Sequence, residues 1–370
     1  MDFTLLREFL DTQWKTPFSE TYVMKDHEVI FHHLAGYDNP ETGARVKENG
    51  FYHIYSCTKV LTAVAAMRLF ERGKFLMHTP VSEFLPEYAE LTVRDPVTRE
   101  IRPANTVMTI GHLFTMTSGL RYMSTWPAFE ELKKETSGAM PTVATMRSLA
   151  KDPLSFDPGT SFQYSLSHDV LGAIVEVISG RSFGDYLREE ILLPLGMTET
   201  GFSVPAGQEH RCVSPYTVNE ETGAYTPRPF SCAYQLGTEF ESGGAGLITT
   251  PKDYRLLADA LAMGGVGKSG ARILSPATID MLRTPAVNYP IFDYLMKAGY
   301  RYGYGVRTMA DPALGNSPIG EFGWDGACGC IILSDPKNGI SMFHARYVSS
   351  PHNDYHTPRL RNVLYACLEA

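Results

Sequence analysis

A serine and a lysine stand three residues apart at the start of an apolar stretch of the chain. They are Ser56 and Lys59 in FYHIYSCTKVLTAVAAMRLFERGKF, which covers residues 51–75. Residues three apart on a helix share a face, and a helix that is apolar nearly all round is normally buried. A serine hydroxyl becomes a nucleophile when a base stands beside it, and burial lowers the pKa of an amine. The spacing indicates a nucleophilic Ser56 activated by Lys59; the alternative is that Ser56 only caps the helix.

The same spacing occurs twice more, and its context separates the three copies. Ser148 and Lys151 lie near the end of a predicted helix, and Ser334 and Lys337 lie at a predicted hairpin turn. Only Ser56 opens a predicted buried helix, where a backbone N–H and the positive end of the helix dipole could stabilise an oxyanion. The copy at Ser56 is therefore the candidate for catalysis.

A tyrosine that precedes a second buried helix could supply another base. Tyr164 lies in PLSFDPGTSFQYSLSHDVLGAIVEVISG, after a Pro-Gly turn. Near a lysine ammonium, a phenol can be held partly ionised and act as a general base. The alternative is a core tyrosine whose hydroxyl bonds to the backbone.

The third candidate is a glycine-containing strand, Phe322-Gly323-Trp324-Asp325-Gly326-Ala327. Glycines in a strand allow a ligand or another backbone to approach closely. A backbone N–H on this strand could be the second oxyanion donor. The alternative is an ordinary strand with a packed tryptophan.

Together these motifs resemble the three signatures of the serine β-lactamase and penicillin-binding-protein superfamily. In chain order they are Ser56-x-x-Lys59, Tyr164-Ser165 and Trp324-Asp325-Gly326. Further stretches look like the class C-like branch of esterases, D-amino-acid peptidases and acyltransferases: LFTMTSGL, FDPGTSFQYS, ILLPLGMTETGF, SGGAGLITTPKDY and YGYGV. The resemblance runs from roughly Val29 to Val348.

The resemblance implies a two-lobed fold with the active site in the groove between the lobes. It implies that Ser56 is acylated and that Lys59 and Tyr164 share the base and acid duties. The backbone amides of Ser56 and Ala327 would form the oxyanion hole. Neither a metal nor an organic cofactor is expected.

Two positions depart from the lactamase pattern and bear on the substrate. The residue two positions after the tyrosine is Leu166, where lactamases have an asparagine that grips the substrate amide. Trp324 stands where lactamases and transpeptidases have the lysine of Lys-Thr-Gly. Both changes argue against an efficient β-lactamase, and a tryptophan suits an apolar or flat substrate group.

The residues expected to contact substrate are Leu166, Trp324, Asp325 and Gly326. Asp325 has two interpretations. Strand alternation would turn it away from the face of Trp324, whereas a twist that turned it inward would favour a cationic substrate. Four further residues could line the pocket or pack in the core: Met116, Tyr122, Met123 and Trp126.

The main hypothesis is a serine hydrolase that forms an acyl-enzyme on Ser56 with an ester or amide of a small molecule or short peptide. Acyl transfer to an alcohol or amine is a variant of the same chemistry. One alternative is a D-amino-acid or cell-wall peptidase, or a weak β-lactamase. The other is a catalytically silent homologue that binds a ligand in the groove.

The surrounding pattern predicts how these residues are positioned. Helix and strands open the chain, and two β-rich runs around Lys25–Glu28 indicate a hairpin. A mainly helical block follows. After about residue 290, YGYGVRTM, GEFGWDGACGCIILSD and GISMFHARYV each read as a strand, with a hairpin turn at Asp335–Gly339 and a final helix. The predicted fold is α+β: an antiparallel sheet built from 1–75 and 290–370, flanked by terminal helices, with an inserted, mainly helical lobe over 76–289.

Composition limits the function classes. The 370 residues carry a formal net charge of -8 and are 44% hydrophobic, enough for a sizeable core and without a basic patch for nucleic acid. The six cysteines are scattered and the histidines lack metal-ligand spacing. No apolar run has membrane-spanning length, and the N-terminal stretch is amphipathic rather than a signal peptide. A cytoplasmic location is expected unless a leader has been removed; the oligomeric state stays open.

Overall fold

The computed structural model describes residues 1–12, 16–122, 127–219, 221–349 and 353–369. The strands are β1 (Phe18–Lys25), β2 (Glu28–Asn39), β3 (Ala44–Arg45), β4 (Tyr52–His53), β5 (Thr92–Arg94), β6 (Ile101–Pro103), β7 (Tyr216–Val218), β8 (Tyr225–Pro227), β9 (Ile248–Thr249), β10 (Tyr300–Tyr302), β11 (Arg307–Met309), β12 (Phe322–Asp325), β13 (Ile331–Asp335), β14 (Ile340–Ala345) and β15 (Val348–Ser349). The helices are α1 (Thr4–Thr12), α2 (Thr58–Glu71), α3 (Ile110–Phe114), α4 (Pro127–Glu135), α5 (Thr142–Ser148), α6 (Ser167–Ser179), α7 (Phe183–Leu187), α8 (Leu193–Leu195), α9 (Pro251–Ala262), α10 (Pro276–Arg283), α11 (Asp293–Lys297) and α12 (Asn353–Glu369).

One antiparallel sheet joins the two ends of the described chain. Its strand order is β10-β11-β12-β13-β14-β1-β2-β3, and each neighbouring pair is antiparallel. The predicted hairpins at Lys25–Glu28 and Asp335–Gly339 are confirmed as β1-β2 and β13-β14. Asp26 and His27 both have positive φ, of 49° and 70°, which suits the tight turn between twisted strands. The predicted α+β fold is therefore confirmed.

The terminal helices cover one face of this sheet. Leu6 and Leu10 of α1 and Leu360 and Leu364 of α12 are buried in one apolar cluster with strand residues such as Leu333. This burial follows from the amphipathic pattern of α1, whose other face is exposed. The layer holds the first and last segments of the described chain together.

The opposite face of the sheet packs against α9. Thr250 caps this helix: its side chain accepts a hydrogen bond from the N–H of Asp253, and Pro251 occupies the first turn. The prediction placed residues 251–262 in the helical lobe, and it did not foresee that this helix packs on the sheet. The lobe boundaries at 75/76 and 289/290 stay a prediction.

Helix α2 lies at the centre of the molecule. It contacts α6, α7 and β12, and residues from Thr58 to Met67 are all buried. The apolar character of nearly every face explains this burial. A chain turn at Gly73, with φ of 68°, follows the helix. Because α2 contacts both the sheet and the helical segment, residues at its start lie where the two meet.

The run GEFGWDGACGCIILSD, predicted as one strand, is instead two strands joined by a turn. The N–H of Gly326 donates to the carbonyl of Cys330 at 2.7 Å, and the N–H of Gly329 donates to the carbonyl of Gly326 at 2.8 Å. Gly329 has a φ of 95°, a conformation that glycine adopts at low cost. The prediction was wrong here because this local turn interrupts an otherwise strand-like pattern.

Across the described ranges, no helix combines the length and the apolar character needed to cross a bilayer.

Candidate active site

Ser56 lies in a short 3₁₀ turn, Tyr55–Cys57, that continues directly into α2. Tyr55, the residue before it, has a φ of 46°, which is uncommon for a residue with a side chain and costs free energy. Its hydroxyl donates to the carbonyl of Ser231 at 3.4 Å, and its ring contacts Tyr347 and Tyr234. These contacts hold the turn that presents Ser56 half-buried at the start of the helix.

The amine of Lys59 reaches three oxygen atoms from three parts of the chain. Its Nζ lies 3.4 Å from Ser56 Oγ, 3.1 Å from the hydroxyl of Tyr122 and 2.7 Å from the carbonyl oxygen of Gly244. Lys59 is fully buried. The predicted pairing of Ser56 with Lys59 is thus a contact in the structure, although it is the longest of the three.

Burial lowers the pKa of Lys59 to about 8, although the charge of Asp169 acts in the opposite direction. A buried ammonium loses its hydration, so the neutral amine becomes easier to form. Near neutral pH a fraction of Lys59 is therefore able to accept a proton.

Tyr164 lies between the lysine and the sheet. Lys59 Nζ is 4.5 Å from the centroid of its ring, and the indole N–H of Trp324 donates to its hydroxyl at 2.9 Å. Burial raises the pKa of Tyr164 well above 10, while hydrogen bonds with Ser56 and Trp324 act against that rise. The structure therefore favours a protonated phenol, whereas the sequence analysis expected a partly ionised one. The amine of Lys59 lies over the phenol ring.

Trp324 forms an aromatic wall with neighbours from two segments. Its ring centroid is 5.1 Å from that of Tyr302, 5.6 Å from that of Tyr164 and 6.4 Å from that of Phe292. The indole is almost completely buried. Where lactamases carry a lysine, this chain has an uncharged ring whose N–H is already engaged.

Gly326 brings the end of β12 against the segment that carries the serine. A Cβ at this position would lie 2.4 Å from the carbonyl oxygen of Ile54, two residues before Ser56. Such a distance is far below van der Waals contact, so only glycine fits. Ala327 follows in the turn between β12 and β13 and is exposed, whereas the residues on either side of it are buried.

Leu166 and Asp325 contact other parts of the molecule: Leu166 packs in the core, and Asp325 pairs with arginines. Leu166 is buried in the main hydrophobic core at the start of α6. Asp325 Oδ1 accepts from Arg361 Nη2 of α12 at 2.7 Å and from Arg307 Nε at 3.4 Å. Strand alternation directs its carboxylate toward the C-terminal helix while Trp324 faces Tyr164, so these ion pairs give Asp325 a structural role.

Tyr122 is part of the cluster, although the sequence left it between pocket and core. Its hydroxyl accepts from Lys59, and its ring lies 5.9 Å from that of Tyr164. Met116 is fully buried, and its backbone carbonyl accepts from the N–H of Gln163. The other two residues considered with them, at positions 123 and 126, lie outside the described residues.

A buried carboxylate near the lysine was not indicated by any sequence pattern. Asp169 Oδ1 accepts from the Ser242 hydroxyl at 2.5 Å and from the N–H of Gly244 at 3.1 Å. Asp169 follows Tyr164 by five residues, but its partners are more than seventy residues away. Only the spatial fold could show this contact. Within the described ranges, no group of three or more metal-ligating side chains could hold a metal ion.

Solved structures show the fold that this arrangement belongs to. A structure described as EstCE1, a hydrolase with promiscuous acyltransferase activity, superposes with a TM-score of 0.78 at 22% identity, covering 97% of this chain and 96% of that one. The chain thus has the β-lactamase/transpeptidase-like fold. It belongs to the Beta-lactamase family, whose model matches residues 6–366.

Two curated relatives carry activities in their names. Esterase EstB of Burkholderia gladioli is 27% identical over 343 residues, which cover 86% of this chain and 83% of that protein. Acyltransferase calJ of Penicillium decumbens is 28% identical over 345 residues, which cover 85% of this chain and 80% of that protein. Family and relatives together support an enzyme of this superfamily, a serine hydrolase or acyltransferase.

Proposed function

We propose that this protein is a serine esterase that forms an acyl-enzyme on Ser56 and can pass the acyl group to water or to an alcohol. One observation carries the proposal: Lys59 Nζ lies 3.4 Å from Ser56 Oγ and 4.5 Å from the centroid of the Tyr164 ring. A base and a phenol thus lie next to a single hydroxyl.

Acylation begins with neutral Lys59, the group whose pKa of about 8 suits it to accept a proton. As Lys59 takes the proton of Ser56, Oγ attacks the ester carbonyl carbon and the carbonyl oxygen becomes an oxyanion. Backbone amides of Ser56 and Ala327 are the proposed donors to that oxyanion. The carbon–alkoxide bond then breaks.

Protonated Tyr164 is the proposed acid for the departing alkoxide, because its neutral hydroxyl carries a proton and lies beside Ser56. Lys59 then returns its proton to Tyr164, which restores both groups. Deacylation repeats these steps with water or an alcohol as the nucleophile, and Ser56 Oγ leaves as the protonated hydroxyl. No net proton is gained or lost in the transfer to an alcohol.

The aromatic wall supports an uncharged substrate group. Trp324 and Phe292 place uncharged rings, rather than a cation, beside Tyr164, and the fully buried Tyr302 packs against Trp324. The buried Leu166 replaces the lactamase amide. A carboxylate next to the scissile bond, as β-lactams carry, would therefore lack the partner that the family's Lys-Thr-Gly lysine supplies.

The test compares Ser56→Ala with wild type on short-chain p-nitrophenyl esters. The expected result is loss of turnover in the variant and, in wild type, a covalent acyl adduct on Ser56 by intact-mass spectrometry and peptide mapping. Ser148→Ala is the matched control, since Ser148 has the same spacing to Lys151 but donates its hydroxyl to Thr145. Equal turnover by Ser56→Ala would remove Ser56 from its proposed role.

Two further assays on the wild-type protein test the alternative functions, a lactamase or peptidase and a catalytically silent homologue. Hydrolysis of a chromogenic cephalosporin at a rate near that of the esters would favour a lactamase or peptidase instead. Failure of a fluorophosphonate probe to label Ser56 in folded protein would favour a silent, ligand-binding homologue.

A further inference from the structure

The strongest unassigned feature is the link between Asp169 and Lys59 through a glycine segment. Asp169 lies in the first turn of α6 and is 1% exposed. Its Oδ1 accepts from the hydroxyl of Ser242 at 2.5 Å and from the N–H of Gly244 at 3.1 Å. Two donors from one short segment thus meet the same carboxylate oxygen.

The other side of this segment is bound to α2. The carbonyl of Gly244 accepts from Lys59 Nζ at 2.7 Å, and the carbonyl of Gly243 accepts from the Thr62 hydroxyl at 2.7 Å. The segment is therefore held between two helices, with the carboxylate on α6 and the amine on α2.

The fit between the helices leaves no room for side chains. A Cβ on Gly244 would lie 2.3 Å from Asp169 Oδ2, and one on Gly243 would lie 2.5 Å from the carbonyl oxygen of His168. Such contacts require the neighbouring backbone or carboxylate to move. The two glycines let the segment lie close enough to pass from Asp169 to Lys59.

Hydrogen bonding alone does not explain why an aspartate stands at position 169, because, in the part of the chain that the structure describes, its second carboxylate oxygen, Oδ2, takes no part in it. Within the described residues, Asp169 Oδ2 is buried and has no hydrogen-bond partner. An asparagine could accept the same two bonds through its Oδ1. What the aspartate adds is a negative charge, which is costly to bury unless an opposite charge stands nearby.

We propose that Asp169 is a positioning residue for Lys59: it fixes Ser242–Gly244 so that the Gly244 carbonyl receives the amine, and its charge favours the protonated amine. The inference rests on the proposed function, in which Lys59 exchanges a proton with Ser56. Asp169 thereby raises the pH above which the lysine can act as a base.

The other ionisable groups around Lys59 are neutral near physiological pH. They are Cys57, Tyr122, Tyr164, His168 and Cys232. Burial raises the pKa of both thiols and both phenols, and it lowers the pKa of His168 to about 3. Burial also raises the pKa of Asp169, while Lys59 acts to lower it. Among these groups, Asp169 is the one that can oppose the lysine with a charge.

The test is Asp169→Asn, which keeps the acceptor oxygen and removes the charge. The acid limb of the kcat/KM–pH profile should move to lower pH by roughly one unit, the lower end of the effect of a neighbouring opposite charge. A second readout does not need catalysis: NMR titration of ¹³C-lysine-labelled protein, with the Lys59 signal assigned from Lys59→Met, should show the same downward move.

The matched control is Asp253→Asn. Asp253 is also a buried carboxylate, and it accepts from the N–H of Glu199 and the hydroxyl of Thr200, away from Lys59. Its replacement should leave the Lys59 midpoint where it is in wild type. An unchanged midpoint in folded Asp169→Asn, or an equal move in Asp253→Asn, would overturn the proposal.

A second variant covers the case in which Asp169→Asn does not fold. Ser242→Ala removes one donor to the carboxylate, so the segment that receives Lys59 should be less firmly held, and kcat should fall several-fold with little change in KM. Wild-type kcat in Ser242→Ala would contradict the positioning role. Because the NMR titration reads Lys59 directly, it separates failure of this inference from failure of the esterase proposal, which Ser56→Ala tests.

Discussion

The indole N–H of Trp324 donates a hydrogen bond to the hydroxyl of Tyr164 across 2.9 Å, and so joins β12 to the segment before α6. The bond occupies one lone pair of the phenol oxygen. It leaves the phenol proton and one other lone pair to interact with Ser56. The tryptophan therefore orients the proposed acid as well as forming part of the aromatic wall.

Trp324→Phe should lower kcat/KM for p-nitrophenyl esters by roughly tenfold, because one hydrogen bond that orients the phenol is lost. Tyr302→Phe is the matched control. Within the described residues, the buried Tyr302 hydroxyl has no hydrogen-bond partner, while its ring packs on Trp324. Tyr302→Phe keeps this ring and removes only the hydroxyl, so it should retain wild-type activity. An equal loss in both variants would show that the effect does not come from the Trp324–Tyr164 hydrogen bond.

Tyr164→Phe should reduce kcat by roughly a hundredfold or more, the usual effect of removing a general acid or base. Tyr122→Phe removes a hydroxyl that contacts Lys59 rather than Ser56, so its loss should be only roughly fivefold. Steady-state kinetics on one ester measures both. Equal losses in the two variants would contradict the separate role of Tyr164.

The depressed pKa of Lys59 also predicts a stability effect with a defined sign. Its pKa falls from 10.5 to about 8 in the folded state, so the unfolded chain binds more protons between those two values. Lys59 therefore costs stability below pH 8, on the order of 3 kcal/mol, and this cost fades as the pH rises toward 10.5.

Lys59→Met should remove this pH dependence along with activity. Chemical denaturation at pH 7 and at pH 10 gives the free energy of unfolding of both proteins. The stability of the variant relative to wild type should be greater at pH 7 than at pH 10. A difference that stays constant with pH would mean that Lys59 titrates normally in the folded protein.

Asp325→Asn separates the two interpretations of this residue. Because Asp325 pairs with Arg361 and Arg307, the substitution should lower the free energy of unfolding by roughly 3 kcal/mol and leave KM for neutral esters unchanged. Urea denaturation and ester kinetics measure the two effects. Glu131→Gln, which breaks an exposed pair with Lys151, should change neither. A raised KM for cationic esters at unchanged stability would instead favour contact with substrate.

The sequence predicted the parts of the site that depend on local spacing. Ser56 and Lys59 meet because a helix places residues three apart on one face. The hairpin at Asp26–His27 followed from a polar turn between two β-rich runs. Both are short-range relationships, and both correspond to contacts in the structure.

Relationships across distant loops could not be read in the same way. The Ser242–Gly244 segment meets Asp169 only after α6 and α2 have packed, and the glycines alone do not indicate a carboxylate partner. Arg361 reaches Asp325 from helix α12, 36 residues further along the chain. The turn after Gly326 depends on a positive φ at Gly329, which a strand-like composition conceals.

The central pairing of β1 with β14 also bears on when the proposed chemistry could first occur during synthesis of the chain. Residues 18–25 are made long before their partner strand, residues 340–345. Trp324 and Ala327 also emerge long after Ser56. A nascent chain that already contains the serine helix therefore lacks the strand bearing the proposed oxyanion donor, and the proposed acyl chemistry must wait until residues 322–345 have been made.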